Sequence, residues 1–230
     1  SFVISGTITG AEGEKIYLLN DASNTPQDSA VIKNDHFQFK GTIDEPSIYA
    51  LFLQDHTTPY ITVLMPGELS ITSTAATFPD ATIKGSKESE AMQEYQQAFK
   101  PLSSKAKTLN QHAATIAQND TAAILDFRKQ AEEFNQQVKE TGLQFIHAHP
   151  HELASVLVLI NELRTRLSPQ ELKTEFALLD DNVKNSKYGK AAQQFIEEAA
   201  FAGEGSVAPD FTMNDVNGKP VKLSSFHGKY

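Results

Sequence analysis

The sequence predicts an α+β protein in three consecutive blocks: an antiparallel β domain at residues 1–85, a helical domain at residues 86–203, and the start of a further domain at residues 204–230. Period-two alternation of apolar residues dominates the first block, and heptad spacing dominates the second. Turn signals in the first block recur at intervals of about ten residues. Such spacing is typical of a sandwich or a barrel-like sheet rather than of βαβ units.

The strands of the first block are predicted one by one. The first strand follows from Phe2, Ile4, Gly6 and Ile8, which alternate with residues of the opposite face. Further strands are predicted at residues 15–19, 29–33, 36–41, 47–54, 60–65, 68–74 and 81–84. The polar loop at residues 55–58 has two interpretations, a solvated turn or a loop that contacts a partner.

Two heptad stripes open the helical block. The first consists of Met92, Tyr95, Phe99, Leu102, Ala106, Leu109, Ala113 and Ile116, and the second of Phe127, Ala131, Phe134, Val138, Thr141 and Phe145. Asp120 is expected to cap the second helix, and Pro101 is expected to interrupt and kink the first. The stripes predict an antiparallel helical hairpin; the alternative is a coiled coil that forms a homodimer.

Three more helices are predicted. Pro150 introduces one at residues 151–163. The next begins at residues 168–171, where a serine cap, a proline at the first helical position and a glutamate three residues after the cap coincide. The last is expected at residues 188–202, with Gly203 as its C-cap.

The final block reads as a hairpin. Asn217-Gly218 predicts a tight turn, because both residues of such a turn need positive φ. Residues 220–223 are then expected to return antiparallel to the strand before the turn. A hairpin of this length cannot bury a core of its own, so we expect the chain to stop within an incomplete fold.

A set of residues in this final block occurs in a specific order and spacing: Ala208, Pro209, Asp210, Phe211, Gly218, Lys219, Leu223, Ser224, Phe226, Gly228 and Lys229. It resembles the beginning of the thioredoxin-like domains of the AhpC/TSA and TlpA/ResA type. In that family the next strand leads to a Cys-x-x-Cys pair or to one peroxidatic cysteine. The resemblance implies a redox motif beyond Tyr230, since this chain has no cysteine.

The earlier blocks carry a second resemblance. Residues 2–10 (FVISGTITG), 15–18 (KIYL), 83–86 (IKGS) and 186–189 (SKYG) are similar to the N-terminal region of unknown function that precedes envelope thioredoxin-like domains. The resemblance implies a periplasmic or cell-envelope thiol–disulfide oxidoreductase, soluble or lipid-anchored upstream of Ser1. The implied partners are the C-terminal thioredoxin-like domain of the same polypeptide and envelope proteins with disulfides.

Composition excludes several classes of function. A net charge of −9 disfavours nucleic acid and anionic membranes as partners. The chain starts at Ser1 without an apolar leader, so a processed or trimmed form is expected.

The lack of cysteine has two interpretations: the region has no use for thiols, or it avoids thiols that a fused disulfide enzyme would draw into exchange.

One cluster has residue types that bind metals. His147, His149 and His151 are weak candidates for metal ligands, because their segment crosses a helix end and Pro150 instead of lying on one strand or bent loop. Otherwise the histidines near the helix C-terminus would interact with its dipole, and His151 would lie with Glu152 in the first turn of the next helix. No phosphate loop, nucleophile elbow or zincin helix is present, so no catalytic residue and no cofactor is predicted within this chain.

Three functions follow as hypotheses. The first is the non-catalytic N-terminal region of a thiol–disulfide oxidoreductase, which would position the redox domain or recruit its substrates. The second is an envelope module that binds a peptide or glycan, with Tyr49, Phe52 and Tyr60 as an aromatic platform. The third is the N-terminal region of a peroxiredoxin-type enzyme.

Overall fold

The computed structural model describes residues 1–20 and 25–201 and two short strands at residues 212–214 and 220–222. Within the first block these residues form two four-stranded sheets, ordered β4-β1-β7-β8 and β3-β2-β5-β6. The strands are β1 Phe2–Thr9, β2 Lys15–Asn20, β3 Asp28–Val31, β4 His36–Gly41, β5 Ser47–Leu53, β6 Tyr60–Leu64, β7 Gly67–Thr74 and β8 Thr82–Lys84. The sandwich prediction is confirmed, and the barrel-like alternative is wrong, because each sheet has two edge strands.

The apolar face of β1 is buried as its alternation predicts. Phe2, Ile4 and Ile8 are almost fully buried in a core that also contains Ile16 and Leu51 of the second sheet. One expectation is wrong, however: β1 pairs with β4 antiparallel but with β7 parallel. Alternation within a strand determines which face is buried but not the direction of its neighbours, so the first sheet is mixed.

The helical block begins directly after β8. Its helices are α1 Lys87–Ala113, α2 Thr121–Ala148, α3 Leu153–Leu157, α4 Pro169–Ala177, α5 Asp181–Asn185 and α6 Lys187–Phe201. Asp120 caps α2 by accepting from the Ala123 N–H at 3.0 Å. Ser168 and Glu171 form the predicted capping box of α4. Both cap predictions are confirmed.

The antiparallel hairpin of α1 and α2 is confirmed by contacts between the two helices. The Tyr95 ring lies 5.9 Å from that of Phe145 near the base, and the His112 ring lies 6.1 Å from that of Phe127 near the tip. Two details differ from expectation. The first helix continues through Pro101. The third starts at Leu153 and widens into a π-helical stretch at Val158–Leu163.

The helices share a second core with the β domain. Val63 of β6 lies on the outer face of its sheet, and it packs in one buried cluster with Met92 and Phe99 of α1 and Leu159 of the π-helical stretch. A hydrogen bond of 2.7 Å from the Ile48 N–H to the Tyr188 hydroxyl joins α6 to β5. Residues 1–85 and 86–201 are thus held together by a common apolar core.

In the final block, β9 (Thr212–Asn214) pairs antiparallel with β10 (Pro220–Lys222). The predicted hairpin is confirmed in its direction. Its register, with Met213 opposite Val221, differs by one residue from that of a two-residue turn at Asn217-Gly218. A complete thioredoxin-like fold is not present in the described part of the chain.

Candidate functional site

Titratable side chains concentrate where α2 ends and α3 begins. We call this region the histidine corner; it comprises His147, His149, His151 and Glu152 together with Glu88, Glu94, Glu175 and Asp180. Pro150 prevents α2 from continuing into the next helix. The intervening turn is fixed by the Pro150 carbonyl, which accepts from the Asp180 N–H at 2.9 Å.

Each histidine of the corner contacts a carboxylate on another part of the fold. His147 Nε2 lies 2.8 Å from Glu175 of α4, and His149 Nε2 lies 3.0 Å from Glu94 of α1. The His149 ring also stacks on Phe145, with 4.4 Å between the ring centroids. The histidines therefore connect the end of α2 to α1 and α4 instead of converging on one point.

His151 pairs with Asp180, which immediately precedes α5. The hydrogen bond and the negative charge of Asp180 raise the pKa of His151 above its ordinary value, Glu152 adds to this effect, and Lys87 opposes it. Both partners are largely exposed, so water and salt screen the pair.

Glu88 holds the other side of the corner. Its carboxylate accepts from the Leu153 N–H at 2.8 Å and satisfies a donor at the start of α3. Burial raises the pKa of Glu88, the hydrogen bond to Leu153 opposes this shift, and the charge of Glu152 reinforces it. Folding therefore disfavours the charged form of Glu88, although that form caps a helix.

The arrangement does not assemble a reactive site from the candidate residues. The described residues contain no group of three potential ligands positioned to hold a metal ion. The Ser155 hydroxyl donates to the His149 carbonyl at 2.5 Å instead of to an imidazole, so it forms no nucleophile–base pair with the histidines. What the corner does is to join the end of α2 to α1 and α4, and the turn after it to the residue before α5, through histidine–carboxylate contacts.

Replacing Asp180 with asparagine is expected to lower the pKa of His151 towards 6.5, because the acceptor loses its charge. In the native protein the folded-state pKa is raised, so the stability from this pair is full below pH 6.5 and is lost as pH rises through the folded-state pKa. Ring-proton NMR titration measures the shift. Asp181→Asn, which removes a neighbouring carboxylate paired with Lys184, is the control; an unchanged pKa of His151 in Asp180→Asn would contradict the assignment.

Glu88→Gln is expected to stabilise the protein at pH 7 but not at pH 4. The glutamine oxygen still accepts from Leu153, whereas the buried charge is removed. Because the pKa of Glu88 is raised by folding, the native protein gains stability as the pH falls, and the variant loses its advantage there. Urea unfolding at both pH values measures the difference, with the exposed Glu132→Gln as control. Destabilisation at pH 7 would show that the charged cap outweighs its burial.

The structure places the remaining candidates away from solvent or outside the described residues. Tyr49 and Tyr60 are buried in the sandwich core and Phe52 is half-buried, so the proposed aromatic platform is wrong. The motif residues of the final block lie outside the described part: Ala208, Pro209, Asp210, Phe211, Gly218, Lys219, Leu223, Phe226, Gly228 and Lys229. No sequence pattern pointed to the carboxylates Glu94, Glu175 and Asp180, since each is distant in sequence from its histidine.

Comparison with known proteins gives one match. Residues 2–92 match the model of a domain of unknown function, DUF4369. This confirms that the chain opens with a β domain of unknown function, and the matched range extends from β1 into the first turns of α1. No curated protein and no solved structure matches the chain. None of the described helices is both long and apolar enough to cross a membrane.

Proposed function

We propose that residues 1–203 form the non-catalytic N-terminal region of a cell-envelope thiol–disulfide oxidoreductase, and that residues 204–230 begin its thioredoxin-like domain. The observation that carries this proposal is the antiparallel pairing of Thr212–Asn214 with Pro220–Lys222. It lies within the segment whose residues resemble the beginning of that domain. The match of residues 2–92 to a domain of unknown function agrees with the first part of this arrangement, a β domain without assigned chemistry.

In this proposal the described residues supply position and recruitment, while the thiol chemistry belongs to the domain that follows. The chain contains no cysteine, so it offers no thiolate to attack a disulfide. The shared core of α1 and β6 makes residues 1–201 one support from which α6 leads into the final block. A support of this kind would set the distance between the redox site and a bound substrate.

The test begins with the reading frame that follows Tyr230. We expect a Cys-x-x-Cys motif shortly after it, and we expect the complete protein to reduce both a small aromatic disulfide and insulin. Replacement of the first of these cysteines with serine should abolish both activities. A stop codon directly after Tyr230 would refute the proposal.

A peroxiredoxin-type enzyme is the alternative, because the beginning of the domain resembles both types. In that case one cysteine in a Pro-x-x-x-Thr-x-x-Cys context would follow Tyr230, and the complete protein would consume hydrogen peroxide. An envelope binding module is the second alternative. It no longer rests on exposed aromatic residues, but a polar cleft between the β domain and α1 favours it.

A further inference from the structure

Helix α1 covers the open side of the sandwich, where an edge strand of each sheet would otherwise be exposed. The Ile83 N–H of β8 donates to Gln93 Oε1 at 2.7 Å, and the Ile61 carbonyl of β6 accepts from Gln96 Nε2 at 2.6 Å. These strands terminate the two sheets. One row of glutamines on α1 therefore caps both edges, and covering an edge in this way blocks unwanted strand pairing.

Beyond this row, α1 and the β domain separate to form a cleft of about 660 Å³. One wall is the α1 face from Gln93 to Pro101. The opposite wall consists of residues at and before the starts of β6 and β8: Thr58, Pro59, Tyr60, Pro79, Asp80 and Thr82. The volume lies within the range of pockets that bind small ligands or peptide segments. We call it the glutamine cleft.

Hydrogen bonds hold the glutamine side chains of the glutamine cleft in place, but these side chains keep unused donors and acceptors. Gln93 uses its oxygen and Gln96 its nitrogen for the strand edges, so each amide keeps its other end. Within the described part of the chain, the buried side-chain atoms that lack partners are Tyr60 Oη and Thr62 Oγ1. The free ends of both amides are therefore accessible to solvent or to a ligand.

Two further groups add to this set. Tyr60 lines the cleft, is only 2% exposed, and has no hydrogen-bond partner for its hydroxyl. Burial raises its pKa far above neutrality, so the hydroxyl stays protonated. Pro101 has no N–H, and the carbonyl of Gln97 therefore lacks its usual helical donor. The Tyr60 hydroxyl costs free energy because it is buried without a partner. The Gln97 carbonyl belongs to an exposed residue, so it can accept a hydrogen bond from solvent or from a ligand.

The chemistry of these groups fits a peptide main chain. The Gln97 amide can pair with a peptide group through one donor and one acceptor, whereas Gln93 keeps its N–H donors, because only its oxygen binds the strand edge. Gln93 and Gln97 lie one helical turn apart, about 6 Å, and alternate residues of an extended chain are about 6.6 Å apart. The cleft therefore offers amides at nearly the repeat of a strand.

The lining also disfavours other ligands. Tyr60 is the one aromatic residue among the described residues that line the cleft, and it is buried, so no exposed ring is available to stack on a sugar. The one charged pair, Lys100 and Asp80, is closed at 2.5 Å, so neither sign of charge is favoured. An uncharged, extended partner fits this lining best.

We propose that the glutamine cleft binds an extended, uncharged peptide segment of another protein, with the α1 amides pairing to its main chain. This deepens the proposed function by naming the class of substrate, an unfolded or locally extended protein. That link rests on the proposed function, whereas peptide binding itself does not. The binding mode shares with strand addition the recognition of a peptide main chain by hydrogen bonds, but the pairing groups are side-chain amides of α1 instead of a sheet edge.

The test uses the full 230-residue chain with ¹⁵N labels. The probe is a short, end-blocked, unstructured peptide of Val, Thr, Ser and Gln residues, titrated up to about 1 mM. We expect saturable shifts of the side-chain amide signals of Gln93, Gln96 and Gln97. A chitin oligosaccharide at the same concentration is the probe for the glycan alternative.

Gln97 provides the matched variants because its side chain is exposed, so its replacement leaves folding unchanged. Gln97→Ala should weaken peptide binding about fivefold, the value of one hydrogen bond. Gln97→Trp should fill the cleft and remove binding. Gln111→Ala, at an exposed glutamine of the same helix outside the cleft, should change nothing.

Other results of these titrations would overturn the proposal. Peptide shifts that map elsewhere, or that persist in Gln97→Trp, would place binding outside the cleft. Shifts with the oligosaccharide but not the peptide would make the cleft a glycan site, and no shifts with either would leave it a structural junction. If the chain binds the peptide but the reading frame after Tyr230 encodes no cysteine motif, the peptide-binding inference stands and only the oxidoreductase proposal is refuted.

Discussion

Replacing Gly189 with alanine is expected to lower the free energy of unfolding by about 3 kcal/mol. A Cβ atom at this position would lie 2.2 Å from the Val183 carbonyl oxygen and 2.4 Å from that of Lys184. Both are backbone atoms of α5, so relief requires α5 and α6 to move apart. Urea unfolding followed by circular dichroism measures the loss.

Lys190→Ala is the matched control, since it changes the next residue of the same helix at an exposed position. It should alter the free energy of unfolding by less than about 0.5 kcal/mol. If Gly189→Ala were as mild as the control, the close approach of α5 to α6 would be wrong. The glycine of the sequence pattern at residues 186–189 thus has a packing explanation and needs no functional one.

Met92→Ala is expected to cost about 3 kcal/mol and to destabilise both parts of the molecule together. Met92 is 1% exposed, and it belongs to the cluster that contains Val63 of β6 and Leu159 of the helical block. A cavity there weakens the shared core. Amide exchange should therefore speed up in β6 and in α2 by similar factors, and the denaturant midpoint should fall.

Leu125→Ala serves as control, because Leu125 is 58% exposed on α2 and its truncation removes little buried area. A Met92→Ala variant in which only the helical amides lost protection would contradict a common core. In that case the β domain and the helices would unfold as separate units.

The features that the sequence predicted correctly are those that depend on residues close together in the chain. Alternation in β1 and the capping box at Ser168 each depend on contacts within a few residues, and both appear as expected. The interruption of the first helix that was expected at Pro101 is wrong, because α1 continues through this residue. A proline costs about 3 kcal/mol inside a helix, but aromatic contacts between α1 and α2 occur on both sides of it, and packing outweighs propensity.

Contacts between distant residues were not predictable in this way. The parallel pairing of Ile4 with Leu69 joins strands far apart along the chain, and no local pattern encodes a strand's direction relative to such a neighbour. The same holds for the carboxylates of the histidine corner: Glu94 reaches His149 only because α1 and α2 fold back on each other. The glutamines of α1 likewise have no local pattern that distinguishes them from solvated residues, because the strand edges that they contact come from other parts of the chain.

The row of glutamines on α1 bears on how separable the β domain is. The stretch shared with the domain of unknown function ends at residue 92, one residue before Gln93. A fragment cut at that boundary would keep all eight strands of the sandwich but lose the amides that cover β6 and β8. Its open edges would recruit strands from other copies. The matched domain therefore ends within α1, whereas a fragment with covered sheet edges needs at least the next turn of that helix.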